Sequence, residues 1–183
     1  MKISISLLII LTVFSVTVSG QARRRAVASN LNSGYANFNE IAGGYGLGGT
    51  TLSSSKYYYG ATTTHGYQLN IYGLNVNRSF FAGLSSGALF YDKNLLIPLT
   101  LNPRFIWNTG LVSPYISGDG GFIFSPDDVD KKTMVLIKGG GGIQLRISNN
   151  FYATFGSGLG VHMGLDGRRS FIEAKIGVGF KGR

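Results

Sequence analysis

The chain contains no cysteine and few charged residues. Without cysteine there is no disulfide framework, no thiolate metal site and no cysteine to carry a lipid at a mature N-terminus. Charged residues make up 14% of the 183 residues, whereas soluble domains have about 25%. Glycine is abundant instead, with 28 residues. This composition is not that of an ordinary soluble domain.

Long apolar runs are also missing after the first 22 residues, which excludes a transmembrane helix from the rest of the chain. The one such run, residues 5–18, follows the single charge of Lys2 and precedes small residues that end at Ala22. This order is typical of a secretory signal peptide, which we predict over residues 1–22. Any membrane contact of the mature chain must therefore use strands.

Basic residues outnumber acidic ones, with a net charge of +9, and three arginines, residues 23–25, follow the predicted cleavage site. Their stretch has no periodicity, so we interpret residues 23–34 as a flexible basic tail and predict no nucleic-acid partner. Residues 35–183 have one composition throughout and contain no linker longer than a loop. They are expected to form one domain.

Eight segments with alternating apolar residues fill this domain. Tight turns at 108–110 and 148–150 contrast with longer polar connections at 50–55, 125–132 and 164–169. Short turns on one side and longer loops on the other are the pattern of a membrane-spanning barrel. We predict an all-β fold, an eight-stranded antiparallel up-and-down transmembrane β-barrel. Its predicted strands are residues 36–48, 58–71, 79–91, 95–107, 112–124, 133–147, 150–163 and 170–181.

The last segment shows the two faces most clearly, because every second residue from Ile172 to Phe180 is apolar and those between are small or charged. A soluble lipocalin-like barrel has the same stripe with the faces exchanged. Here the polar face is mostly Gly, Ser and Thr, which is too sparse in charge to solubilise an exterior. We therefore predict that the apolar face contacts lipid, and that serine at the inward Gly177 is tolerated. The predicted interfacial girdle is Phe80, Phe90, Trp107 and Phe180.

Charged residues within the strands all fall on the less apolar face, so we predict a charge network in the lumen. The signs nearly balance, and charges sealed in a narrow barrel are costly unless they are paired. Glu40 is expected to meet Arg104 or Arg146, and Glu173 to meet Lys138 or Lys175. The predicted network is Glu40, Arg104, Asp119, Lys138, Arg146, Glu173 and Lys175.

Motifs for cofactor or metal chemistry are weak. "GYGLGG" (44–49) matches a dinucleotide motif by letter but precedes "TTLSSS" and no helix. "KGGGG" (138–142) lies inside a predicted strand, where glycine permits curvature. The two histidines, His65 and His162, have no obvious third metal ligand. We predict no catalytic residue, no cofactor and no metal.

Several stretches resemble the small eight-stranded outer-membrane β-barrel proteins of Gram-negative bacteria. They are "GYQLN" (66–70), "FFAGLSSGALFYD" (80–92), "LLIPLTLNPRFIW" (95–107), "SPYISGDGGFIF" (113–124) and "FIEAKIGVGF" (171–180). The resemblance implies an outer-membrane location, contact with outer-membrane lipid and lipopolysaccharide, and a monomer. A final strand ending in an aromatic, here Phe180, looks like the signal read by the barrel-assembly machinery, although three residues follow it in this chain.

The predicted function is that of a non-enzymatic integral outer-membrane protein, structural or interacting through its outer loops, with a lumen plugged by charged residues. Two alternatives remain open. Some barrels of the resembled family are lipid A deacylases with a Ser/His/acid set near the outer rim, for which the candidates here are Ser170, His162 and Glu173. The other alternative is a small-solute pore, although eight strands leave an interior that side chains can fill. The sequence does not identify a loop partner.

Overall fold

The structure is a computed structural model. It describes residues 33–50, 56–71, 77–91, 94–126, 133–164 and 167–182. The predicted signal peptide, nearly all of the predicted basic tail and parts of the predicted loops lie outside these residues. The strands are β1 (Gly34–Thr50), β2 (Tyr57–Ile71), β3 (Asn77–Tyr91), β4 (Asn94–Asn108), β5 (Val112–Phe124), β6 (Met134–Arg146), β7 (Phe151–Gly164) and β8 (Gly167–Lys181).

Each strand pairs antiparallel with the next, and β8 pairs with β1, so the sheet closes into a barrel. The predicted eight-stranded barrel is confirmed, with strand boundaries within three residues of those expected from the sequence. Closure satisfies the backbone groups of both edge strands. Among the described residues, no helix is long and apolar enough to span a membrane.

Two connections are tight for local reasons. Between β4 and β5, Gly110 has a φ of +116°, a conformation that glycine adopts without a steric penalty. Between β6 and β7, the backbone N–H of Ile147 donates to the carbonyl of Phe151 at 3.0 Å. We call the end of the barrel that carries these turns, the start of β1 and the end of β8 the turn end, and the opposite end the loop end.

The apolar face of the strands points outwards. On β8, Ile172 and Ile176 are 49% and 53% exposed, whereas Phe171 and Glu173 between and beside them are buried. The same alternation runs along β4, where Leu99 and the other odd-numbered residues face out. The exterior of these strands is therefore mainly aliphatic.

Aromatic side chains on this exterior lie towards both ends. Of the four girdle residues predicted from the sequence, Phe80, Trp107 and Phe180 lie towards the turn end and Phe90 towards the loop end. The sequence interpretation overlooked two outward tyrosine pairs on β1 and β2. They are Tyr35 with Tyr67 at the turn end and Tyr45 with Tyr57 at the loop end.

Inward side chains fill the barrel, and glycine makes room for the largest of them. A Cβ on Gly44 of β1 would overlap the ring of Tyr58, so a side chain there would displace that tyrosine. The close contacts at Gly177 argue against the prediction that serine is tolerated there. A Cβ on Gly177 would collide with the side chain and backbone of Glu40 on the neighbouring strand, because β1 and β8 approach closely at this point.

Candidate functional site

A buried ion pair crosses the lumen in its turn-end half. The Arg104 guanidinium of β4 donates from Nη1 and Nη2 to the two carboxylate oxygens of Glu40 on β1, at 2.9 and 2.6 Å. The two side chains are only 1% and 5% exposed. The ring of Phe38 lies 4.2 Å from the guanidinium, and Nε donates to Asn102 at 2.6 Å. A bidentate pair held on this many sides has a fixed geometry.

Further polar contacts extend this turn-end layer to β5, β7 and β8. Lys175 Nζ lies 3.7 Å from the Glu40 carboxylate and donates to the Ser117 hydroxyl at 3.3 Å. The Thr154 hydroxyl donates to Glu40 at 3.4 Å. Side chains from four strands thus meet at the Glu40 carboxylate, and Lys175 links it to Ser117 of a fifth strand, which places polar atoms across the width of the barrel.

A second ion pair lies nearer the loop end. Glu173 of β8 accepts hydrogen bonds from Lys138 of β6 and from the Tyr58 hydroxyl of β2. The ammonium group of Lys138 also lies 5.2 Å from the centroid of the Tyr58 ring. These contacts join three separated strands, so this layer also spans the lumen.

An aromatic cluster covers the second ion pair. Tyr58 stacks on Tyr91 with ring centroids 5.1 Å apart and meets the edge of Phe171 at the same distance. His162 packs against Phe171 at 4.8 Å and hydrogen-bonds the Tyr91 hydroxyl. Aliphatic residues, buried to 6% exposure or less, complete the cluster. They are Leu89, Leu96, Ile123 and Leu136. This cluster places apolar groups in the loop-end half of the lumen.

The predicted pairings are met in part by this arrangement. Of the two cations predicted for Glu40, the structure brings Arg104 to it and not Arg146. Glu173 meets Lys138, while Lys175 turns to Glu40.

The two remaining members of the predicted network lie outside the ion pairs. Among the described residues, Asp119 has no cation within ion-pair distance and instead accepts from Asn102 at 2.7 Å. Arg146 faces the lumen at the turn end, and its buried Nε has no hydrogen-bond partner in the described part of the chain.

A small cavity lies between the two polar layers. Its polar lining consists of Ser117, Asp119, Lys138, Ser157, Glu173 and Lys175. Its wall is thin because several residues of β6 and β7 beside it are glycine. The space has room for about one water molecule.

The candidate catalytic residues do not assemble. His162 and Glu173 face the lumen and both contact Tyr58, but Ser170 lies on the outward parity of β8. His65 also faces outward, on β2. Among the described residues, no group of three or more acidic or histidine side chains could hold a metal ion.

The two glycine motifs lie within strands. "GYGLGG" is in β1 and "KGGGG" is in β6, so both have an extended backbone. Neither motif therefore forms the phosphate-binding turn that its letters suggest.

The aromatic cluster is the feature that the sequence interpretation missed. Tyr58, Tyr91 and Phe171 all have inward parity, and that parity was read only for its charges. Large aromatic residues on the inner face of an eight-stranded barrel are the signal that could have located it, because the interior is just wide enough for side chains to fill.

Comparison with solved structures places this barrel among known folds. The crystal structure of Neisserial surface protein A matches 82% of this chain and 99% of its own, with 13% identity and a TM-score of 0.53. The N-terminal β-barrel domain of OprF and the outer membrane protein OprG, both from Pseudomonas aeruginosa, give TM-scores of 0.44 and 0.42, with 17% and 11% identity. They cover 81% and 84% of this chain, and the chain covers 100% and 99% of them.

No protein-family model and no curated protein matches the chain. The likeness is one of fold: the chain has the fold of the small eight-stranded outer-membrane β-barrels, as the resemblance in sequence predicted.

Proposed function

We propose that the protein is an integral barrel of the Gram-negative outer membrane, with a sealed lumen and no enzymatic activity, that serves a structural role or interacts through its outer loops. One observation carries this proposal. The barrel is apolar outside and is crossed inside by two ion-paired layers and an aromatic cluster.

The exterior supports a membrane location. Ile41, Leu101 and Leu159 of three different strands are 64%, 63% and 59% exposed. Contiguous apolar surface of this extent is rare on soluble monomers because its exposure to water costs free energy. A lipid environment removes that cost.

The height of the apolar band agrees with a bilayer. Tyr35 and Tyr45 lie at the two ends of the outward face of β1, ten residues apart. Ten residues rise about 33 Å along a strand. A tilt of about 45° converts this into roughly 23 Å along the barrel axis, close to the height of the apolar band of outer-membrane barrels, about 25 Å.

The lumen argues against a solute pore. A conducting path would have to separate Arg104 from Glu40 and Lys138 from Glu173 and also displace the ring of Tyr58. Separating a buried pair leaves an uncompensated charge in the interior, which is strongly unfavourable. The barrel is accordingly a non-conducting membrane protein rather than a channel.

The loop end supports contact with anionic lipid. Lys56 and Arg168 are exposed at this end of β2 and β8. Lipopolysaccharide would present phosphate groups to these cations, and charge-assisted contacts to phosphate are the strong ones. The loops that precede these two positions are the candidate contact region for other partners.

Two measurements test the proposal together. Cell fractionation should place the protein in the outer membrane, with recovery resistant to high-salt washing. Lipid A from cells with and without the gene should have the same mass spectrum, because no Ser/His/acid set assembles. Recovery from the soluble periplasm would contradict the membrane location, and a change in lipid A acylation would favour the hydrolase.

A further inference from the structure

Polar side chains interrupt the apolar exterior on β1, β2 and β3. In the β1–β2 register, the outward Asn37 pairs with His65 and the outward Asn39 pairs with Thr63. Ser86 of β3 faces outward beside Thr63. We call these five residues the polar patch. At neighbouring outward positions, β4 carries leucine and isoleucine instead.

The polar patch lies at the depth of lipid tails, an inference that rests on the proposed membrane location. Along the outward face of β1 and β2, the pair Tyr35–Tyr67 comes first from the turn end and the pair Tyr45–Tyr57 comes last. The Asn37–His65 and Asn39–Thr63 pairs follow directly after the first. Hydrocarbon offers no hydrogen-bond partner, so polar residues placed there are costly and mark functional surfaces.

Part of the polar patch is satisfied within the chain. Asn37 is only 5% exposed, and its amide donates to the backbone carbonyl of Thr64 at 3.0 Å. His65 Nδ1 lies 2.5 Å from the Tyr35 hydroxyl, and its Nε2 lies 3.1 Å from the Thr63 hydroxyl. These contacts hold the polar patch rigid.

Asn39 retains capacity for a partner. Its Nδ2 donates to Asn37 Oδ1 at 2.5 Å, and its own Oδ1 accepts none of the side-chain hydrogen bonds found among the described residues. An amide has two donor hydrogens and an acceptor oxygen, so Asn39 can donate and accept at once. In the membrane, only another protein segment brings a matching group to this depth.

We propose that the polar patch is the contact surface for a second copy of this chain in the membrane. A twofold axis through Asn39 would place the same amide opposite itself, and an amide is complementary to an amide. Ala61, Ala82 and Ala88 flank the polar patch on the outward face. Small residues let two membrane segments approach closely, and polar groups then join them. This twofold dimer is an alternative to the monomer that the family resemblance implies.

The test uses single thiols, which the cysteine-free chain allows without background. Ile41 faces outward on β1 beside the polar patch, and Ile116 faces outward on β5, across the barrel. Ile41→Cys and Ile116→Cys are each reconstituted at low protein content into phosphatidylethanolamine/phosphatidylglycerol vesicles and oxidised with copper phenanthroline. The dimer predicts a disulfide-linked dimer for Ile41→Cys and little for Ile116→Cys.

A second variant asks whether the amide is responsible. Asn39→Leu in the Ile41→Cys background should weaken association by about three- to tenfold for each hydrogen bond lost between copies. Loss of the polar amide from a lipid-facing position should not impair folding, which the heat-dependent gel mobility of the barrel monitors.

The outcomes separate this inference from the proposed function. A folded barrel in vesicles that crosslinks equally at both positions, or fails to crosslink at Ile41→Cys, overturns the dimer and leaves the membrane barrel standing. Undiminished crosslinking in Asn39→Leu overturns the role of the polar patch. Failure of the protein to insert into vesicles overturns both proposals.

Discussion

At the scale of residues, the Glu40–Arg104 pair shows how a narrow lumen can hold charge. Both side chains are nearly inaccessible, and each oxygen of the carboxylate meets one guanidinium nitrogen. The attraction between such groups offsets their desolvation only when the geometry is good and the remaining donors are satisfied. Asn102 and Phe38 meet this condition by contacting the guanidinium.

Breaking this pair from one side should destabilise the barrel strongly. Glu40→Leu leaves the Arg104 charge unpaired in the lumen and should lower the free energy of unfolding by about 3–5 kcal/mol. The double variant Glu40→Leu/Arg104→Met removes both charges and should recover much of that loss. Urea unfolding in vesicles, followed by the fluorescence of Trp107, the single tryptophan, measures both. A double variant less stable than Glu40→Leu alone would contradict the pairing.

The parity of each charged residue could be predicted from the sequence, but its partner could not. Alternation puts Arg104 and Arg146 on the same face of the sheet, so either could have met Glu40. Which arginine meets Glu40 depends on the stagger of the strands around the barrel, and local sequence patterns do not encode this stagger. The aromatic cluster around Tyr58 depends on the same stagger.

At the scale of elements, strand positions follow from period-2 alternation and from turn residues, which are local signals. The prediction for β4 came within one residue of the structure at both ends, since Asn108 and Gly110 mark its end. The start of β8 was predicted three residues late, because Gly167 and the arginines after it read as loop residues. Hydrogen-bonded pairing with β1 on one side and β7 on the other extends the strand there.

The lipid-facing assignment predicts the effect of a charge on β8. Ile176 is outward, 53% exposed and well inside both strand ends, so Ile176→Arg should cost about 2–4 kcal/mol in vesicles. Leu111→Arg is the control, because Leu111 is 70% exposed in the β4–β5 turn. Unfolding titrations should show little change for this control. Equal costs at both positions would contradict a lipid-facing Ile176.

The contact between β1 and β8 predicts that the same glycine-to-serine change has different effects on stability at two positions. Gly177→Ser puts a Cβ into Glu40 and should cost about 1–3 kcal/mol through overpacking. We expect Gly139→Ser to change the stability of the barrel little, since a Cβ there meets nothing within 4 Å. The yield of folded barrel after dilution from urea compares them. A fully tolerated Gly177→Ser would contradict the close approach of the two strands.

At the scale of the whole molecule, closure removes every free sheet edge, and all eight strand pairs are antiparallel neighbours. No strand can peel away without breaking two ladders. The unboiled protein should therefore migrate faster than the boiled protein in detergent gels, because the closed barrel stays compact in detergent. Identical mobility of the two samples would contradict a closed, detergent-resistant barrel.

The combination of an apolar exterior with a lumen crossed by ion pairs and covered by an aromatic cluster is the central claim, and planar-bilayer recording tests it most directly. The folded wild-type barrel, verified by its gel mobility, is added to a lipid bilayer alongside a conducting porin as a positive control. We expect little or no stable conductance from the wild type, because Glu40, Arg104, Lys138, Glu173 and Tyr58 occupy the lumen. Large, steady single-channel currents from the wild-type protein would contradict the sealed lumen and establish a pore.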